Sequence, residues 1–253
     1  MKLGVIISPA AGYSYDEIIG LALETERKGL ESFWVSDHFF GGEGFPDRDC
    51  LDAWTLLAKM VAGVDQMSDG RVEFGIGAGW KDNEYKAYGY EFADPGARVT
   101  QMNEAIQICR LLWTEERATF AGKHYRIEDA VGAPKPKQRP HPPIWVGGRG
   151  PRVMRSAARY ADGFDISRRS TDPGPMDAAA IRRVNVELDE ICKTVKRERP
   201  LLRSHWSSVT LTDDASVAEL KARISGFAQA GLDRFILAFP RESATEMIRR
   251  VPV

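Results

Sequence analysis

The sequence predicts an α/β fold, a TIM (β/α)8-type barrel of serial strand–helix units, and three observations predict it. Short β-branched or aromatic runs alternate with helical periodicity from one end of the chain to the other, which marks α/β architecture. The opening run, residues 3–8, leads through a helical segment to a second run at 32–38, and a strand–helix–strand unit of this size makes its strands parallel. The length, 253 residues, suits one such barrel, for which ~250 is typical. A single domain over 1–253 is expected.

The first helix is announced by Ser14-Tyr15-Asp16-Glu17, a capping box; it carries Ile18, Ile19, Ala22 and Leu23 and closes at Gly29. After the runs at 3–8 and 32–38, strands are expected at 71–77, 143–147, 163–167, 205–211 and 234–239, seven in all. Helices are expected at about 51–67 and about 97–113, the latter with Val99, Met102, Ile106, Cys109 and Trp113 on one face. Others follow Pro151, Pro175, Asp214 and Ser243. The proline-rich stretch at about 119–142 has no helical period and reads as a hairpin plus extended excursion. Seven strands leave the barrel one unit short. The thirty residues between Phe40 and Arg71 hold a loop and one helix where a strand and a second helix belong.

Composition narrows the function. With 43% hydrophobic and 28% charged residues the chain is an ordinary globular protein able to bury a core. Lys and Arg total 35 against 36 Asp and Glu, so the basic footprint of a nucleic-acid binder is missing. No apolar run approaches the ~20 residues of a membrane span, and the N-terminus enters a strand pattern directly, so a cytoplasmic protein with no membrane partner is expected. Three cysteines, Cys50, Cys109 and Cys192, lie far apart with no C-x-x-C spacing, which indicates reduced thiols and no metal site.

Four stretches carry candidate chemistry. Ser36-Asp37-His38 stands at the carboxyl end of the second strand, where barrel enzymes assemble their sites, so His38 is a placed histidine rather than one satisfying a buried carbonyl. Gly75-Ile76-Gly77-Ala78-Gly79-Trp80 ends the third strand; its bare backbone admits a planar ligand that Trp80 could cover, and the same glycines would serve plain tight packing. Trp145-Val146-Gly147-Gly148-Arg149-Gly150-Pro151-Arg152 runs from a strand through a glycine turn into a helix. Its free amides, backed by Arg149 and Arg152, make a phosphate cradle, whereas a mere turn would not call for flanking arginines. Ser167-Arg168-Arg169-Ser170 ends the next strand and adds positive charge, although a charge pair alone is usually solvated. There is no G-x-S-x-G elbow and no H-E-x-x-H spacing. Features that hold a ligand, with few nucleophiles, fit an enzyme whose cofactor reacts.

These stretches, with FWVSDHFFG (33–41), DGRVEFGIGAGWKDNEYKAYG (69–89), LLWTEERATFAGKHYRIEDA (111–130) and PPIWVGGRGPRVMRSAARYADGF (142–164), resemble the luciferase-like monooxygenase superfamily, in particular its branch using the deazaflavin coenzyme F420. The resemblance implies a luciferase-like barrel with a deazaflavin or flavin over the carboxyl ends of the strands. Asp37 and His38 would lie near the reactive ring, Gly77 to Trp80 beside it, and Gly147 and Gly148 at the phosphate. Members usually carry a further strand where Leu57-Ala58 here runs directly into Lys59-Met60, so the unit containing the third strand reads as deleted. Sugar-phosphate dehydrogenases of the branch resemble one another in a glutamate just after the Gly-x-Gly, where this chain has Trp80. The expected activity is hydride transfer between reduced F420 and a small organic substrate, with His38 as proton donor or acceptor. Arg149, Arg152, Arg168 and Arg169 are candidates for the coenzyme's phosphate and glutamyl tail. An FMN-dependent monooxygenase is the alternative within the fold. A non-catalytic barrel relative that binds a ligand or a partner is the alternative of another class, and a homodimer is left open.

Overall fold

The computed structural model describes residues 1–7, 13–35, 53–168 and 176–252. The elements begin with β1 (Lys2–Ile7), α1 (Tyr15–Arg27), β2 (Ser32–Val35), α2 (Ala53–Met67), β3 (Phe74–Gly77), α3 (Asp82–Ala87) and α4 (Pro95–Thr114). They continue with β4 (Ala118–Ala121), β5 (Arg126–Ala130), β6 (Ile144–Gly148), α5 (Pro151–Tyr160), β7 (Gly163–Ile166), α6 (Ala178–Thr194) and β8 (Leu202–Ser208). Last come α7 (Asp214–Gln229), β9 (Arg234–Ala238) and, after a short 3-10 turn, α8 (Ala244–Arg250). The alternation is that of an α/β protein, with β4 and β5 forming a separate antiparallel hairpin. The chain packs into two compact units.

The first unit comprises Met1–Pro46, Asp165–Glu187 and Leu202–Val253. Four of its strands lie in the order β2-β1-β9-β8, and every ladder between them is parallel. Val5, Phe235 and Leu237 are sealed in the core. The capping box forms: Glu17 N donates to Ser14 Oγ at 3.3 Å, and Ser14 N to Glu17 Oε2 at 2.6 Å. Leu21 and Thr25 of α1 face inward while Ile19 and Leu23 stay exposed, because a half-polar helix can satisfy Thr25 internally through Oγ1 donating to Leu21 O at 2.7 Å. The expected strand at 205–211 lies three residues earlier. Asp233 fixes its start, accepting from Arg203 N at Oδ2 and donating its own N to Arg203 O, so that Ser204 pairs with Arg234. Val209 and Leu211 are buried in the connection to α7, which gives that connection a strand-like apolar pattern. His205 is a core residue. Its Nδ1 lies 2.7 Å from Ile166 O, its ring stacks on Phe235 and meets Phe227 edge-on, and burial pulls its pKa down.

The second unit comprises Asp47–Phe164 and Leu188–Leu201. Its long helix α4 starts at Asp94, whose Oδ1 accepts from Gly96 N and Ala97 N, and buries Met102, Ile106, Cys109 and Trp113 as the 3.6-residue period requires; Val99 is only half-buried. Trp113 meets Phe74 of β3 edge-on at 5.6 Å and donates Nε1 to Ala58 O of α2 at 2.9 Å, tying three elements together. Two buried carboxylates organise the connections. Asp65 of α2 accepts from Val72 N and Gln138 N, which holds residues before β3 off the ladder, so that the strand expected from 71 begins at Phe74. Glu104 of α4 accepts from the amides of Lys123, His124 and Tyr125 at 2.7–2.9 Å, gathering the turn of the β4–β5 hairpin. Residues 57–60, where a strand–helix unit reads as deleted, lie inside the single helix α2, and no strand is found between β2 and β3 among the described residues.

Candidate functional site

The site grows from the carboxyl ends of β3 and β6. These strands are parallel, with Phe74 opposite Ile144 and Gly77 opposite Gly147, so both end together. Along β3 the alternation buries Phe74 and Ile76 and leaves Gly75 and Gly77 on the open side. A Cβ at Gly77 would meet only Gly147 O, at 3.7 Å, and one at Gly147 would meet nothing within 4 Å. The strand ends therefore present bare, approachable backbone.

The turn out of β6 needs glycine for its conformation. Gly148 has φ 142° and Gly150 φ 127°, values that L side chains rarely adopt. Pro151 is the first residue of α5 and Gly150 caps it without a side chain, so no side-chain oxygen satisfies the first-turn amides. Those amides and the helix dipole suit an anion such as a phosphate. Arg149 is half-buried beside them and Arg152 is exposed. After β3, Ala78 leads to Gly79 at φ 71°, where a Cβ would strike the Tyr85 hydroxyl, and then to Trp80, which is 71% exposed. Lys81 Nζ lies 5.5 Å from the centroid of its ring.

In the first unit, Ser167 is half-buried and Arg168 exposed just after β7. Ser36, Asp37, His38 and Arg169 lie outside the described residues. The structure thus joins Gly77 to Trp80 with Gly147 to Arg152 in one unit. Sequence reasoning missed two features. Asp165 on β7 accepts from Ser204 Oγ at 2.6 Å, and burial, partly offset by that hydroxyl, pushes its carboxyl up to about 6. A groove between α4 and α5 of about 240 Å³ is lined by Arg152, Arg155 and Arg159, whose i, i+3, i+7 spacing was a readable signal. Cys109 is not a nucleophile, since burial pushes its thiol up to about 12. Among the described residues no group of three or more His, Cys, Asp and Glu could hold a metal ion, and no helix is long and apolar enough to cross a membrane.

Residues 49–185, over half of the chain and including both glycine-bearing strand ends, match the family model described as luciferase-like monooxygenase. The chain belongs to the luciferase-like monooxygenase family. Among family relatives, an F420-dependent glucose-6-phosphate dehydrogenase of Kineococcus radiotolerans is 30% identical over 192 residues, covering 65% of this chain and 56% of that protein. An FMNH(2)-dependent dimethylsulfone monooxygenase of Pseudomonas putida is 34% identical over 109 residues, 43% of this chain and 30% of that protein. The chain thus aligns with about half the length, or less, of these curated relatives. The crystal structure of a monooxygenase from Streptomyces bottropensis matches with a TM-score of 0.77 at 20% identity, over 98% of this chain and 97% of that one, which shows a shared fold.

Proposed function

We propose that this family member is a deazaflavin-dependent oxidoreductase that moves a hydride between reduced coenzyme F420 and a small organic substrate. The observation that carries the proposal is the joint carboxyl end of β3 and β6, where bare glycine backbone adjoins the uncapped start of α5. The donor set fits the group. Gly147, Gly148 and the first-turn amides of α5 would hold the phosphate, Arg149 and Arg152 would add positive charge, and Gly77, Ala78, Gly79 and Trp80 would flank the ring. The coenzyme supplies the hydride chemistry when bound. The protein's part is to orient it, exclude water and handle a proton, the role assigned to His38. Asp37 is assigned as a further cofactor contact by the resemblance, and Ser36, Ser167 and Arg168 by their places after strands in the sequence. Trp80, standing where sugar-phosphate dehydrogenases of the branch carry a glutamate, argues for a substrate other than a sugar phosphate.

Titration with F420 and with FMN, followed by coenzyme and tryptophan fluorescence, tests the reading. Saturable binding of F420, tighter than FMN, is expected, with no oxidation of glucose 6-phosphate. Tighter FMN binding overturns the deazaflavin assignment and favours a flavin monooxygenase, the second reading, which the 34% identity to the Pseudomonas putida enzyme supports. Binding of neither overturns both and leaves a non-catalytic relative.

A further inference from the structure

The face of the second unit between α4 and α5 carries a charge pattern that holding a ring and one phosphate does not explain. The groove there, about 240 Å³, is walled by Gly96, Thr100 and Asn103 of α4 and by Arg152, Arg155 and Arg159 of α5. At i, i+3 and i+7 the arginines share one helical face and span about 10 Å along the axis. All three are exposed, and among the described residues none is in an ion pair. Asp94, whose carboxyl feels Arg152, is already engaged by the amides of Gly96 and Ala97. Like charges at these spacings repel and destabilise a helix. In a chain of net charge -1, three such arginines are not a by-product of a basic composition. An anion in the groove would offset the repulsion.

A further observation says what kind of anion. The groove starts where the phosphate cradle ends: Arg152 lies in the first turn of α5, and its Nη1 would be 2.5 Å from a Cβ at Gly96, so the absence of a side chain there lets it reach over the start of α4. A chain of carboxylates leaving the phosphate and running along α5 matches both the arginine stripe and the place where the groove starts.

We propose that the α4–α5 groove binds the acidic glutamyl tail of the deazaflavin coenzyme, with Arg152, Arg155 and Arg159 meeting its carboxylates. The proposal rests on the deazaflavin reading and names the feature that would separate this coenzyme from FMN, which has no such tail. The test compares the parent with the Arg155→Gln, Arg159→Gln double variant; Arg152 is left in place because it also serves the cradle. Dissociation constants are measured by fluorescence, at low and high salt, for F420, for the same deazaflavin phosphate without glutamates, and for FMN. The parent should bind the tailed form roughly ten- to a hundred-fold more tightly than the tailless one, as two or three exposed charge pairs allow, and salt should erase most of the difference. The double variant should bind both forms alike, keep its FMN affinity, and melt at the same temperature as the parent or slightly above. Equal affinity of the parent for tailed and tailless forms sinks the groove while leaving the deazaflavin reading intact. Failure of the parent to bind either form sinks both.

Discussion

At the scale of single residues, the two glycines at the end of β6 are not equivalent. Gly148, at φ 142° with Val153 Cγ1 3.1 Å from its would-be Cβ, is fixed by backbone conformation, so any substitution there disturbs the turn itself. Gly147 has open space beside it. Gly147→Asp should therefore leave the melting temperature near that of the parent while weakening cofactor binding by on the order of 10²-fold, because a carboxylate would stand where the phosphate belongs. Unchanged affinity would make the pair a turn and nothing more. Asp165 offers a prediction in pH. Its folded pKa, about 6, lies above its ordinary 3.8, so the unfolded chain releases this proton first and stability falls as pH rises between those values. Above about 6 the penalty is constant, on the order of 3 kcal/mol at most. Asp165→Asn keeps an oxygen for Ser204 Oγ and removes the ionisation. It should melt above the parent at pH 8, with the gap closing toward pH 4; a gap that widens on acidification contradicts the assignment.

At the scale of elements, what was legible followed from periodicity and what was not followed from partners distant in sequence. The 3.6-residue stripe of α4 and the capping box of α1 are local signals, and both formed. The start of β8 depends on Asp233 and that of β3 on Asp65 and its bond to Gln138, contacts that neither strand's own residues announce. The hairpin clamp is of the same kind. Burial pushes the Glu104 carboxyl up, but three backbone donors outweigh this and hold it below its ordinary value. Its contribution is therefore complete at neutral pH and lost only as pH falls through that lowered value. Glu104→Ala would leave the amides of Lys123, His124 and Tyr125 without their acceptor, at a cost of about 3 kcal/mol and a melting temperature lower by roughly 6–12 °C in a chain of this size. Limited proteolysis should then cut first between β4 and β5. Parent-like melting would mean that water replaces the carboxylate fully.

At the scale of the whole chain, the order of motifs pointed to the luciferase-like family, and the strand ends at Gly77 and Gly147 were readable as candidates because glycines there let a ligand or another backbone approach closely. The arginine stripe of α5 was readable from its spacing, but the groove it lines was not, since nothing in either helix alone tells which helix it will pack against. Among the described residues seven strands lie outside the β4–β5 hairpin, the number counted from the sequence. That count bears on His38, which follows β2 in sequence and stands on the segment joining β2 to α2. If His38 handles the proton during hydride transfer, His38→Asn should keep cofactor affinity and lower turnover by roughly 10² or more, the usual share of general acid-base catalysis. If it only braces the ring, affinity should fall while turnover at saturating cofactor stays near the parent's. A displacement of the imidazole by ~1 Å would itself cost about 10² in rate, so the comparison requires a parent with measurable turnover. Against such a parent, a variant equal in both affinity and turnover removes His38 from the mechanism.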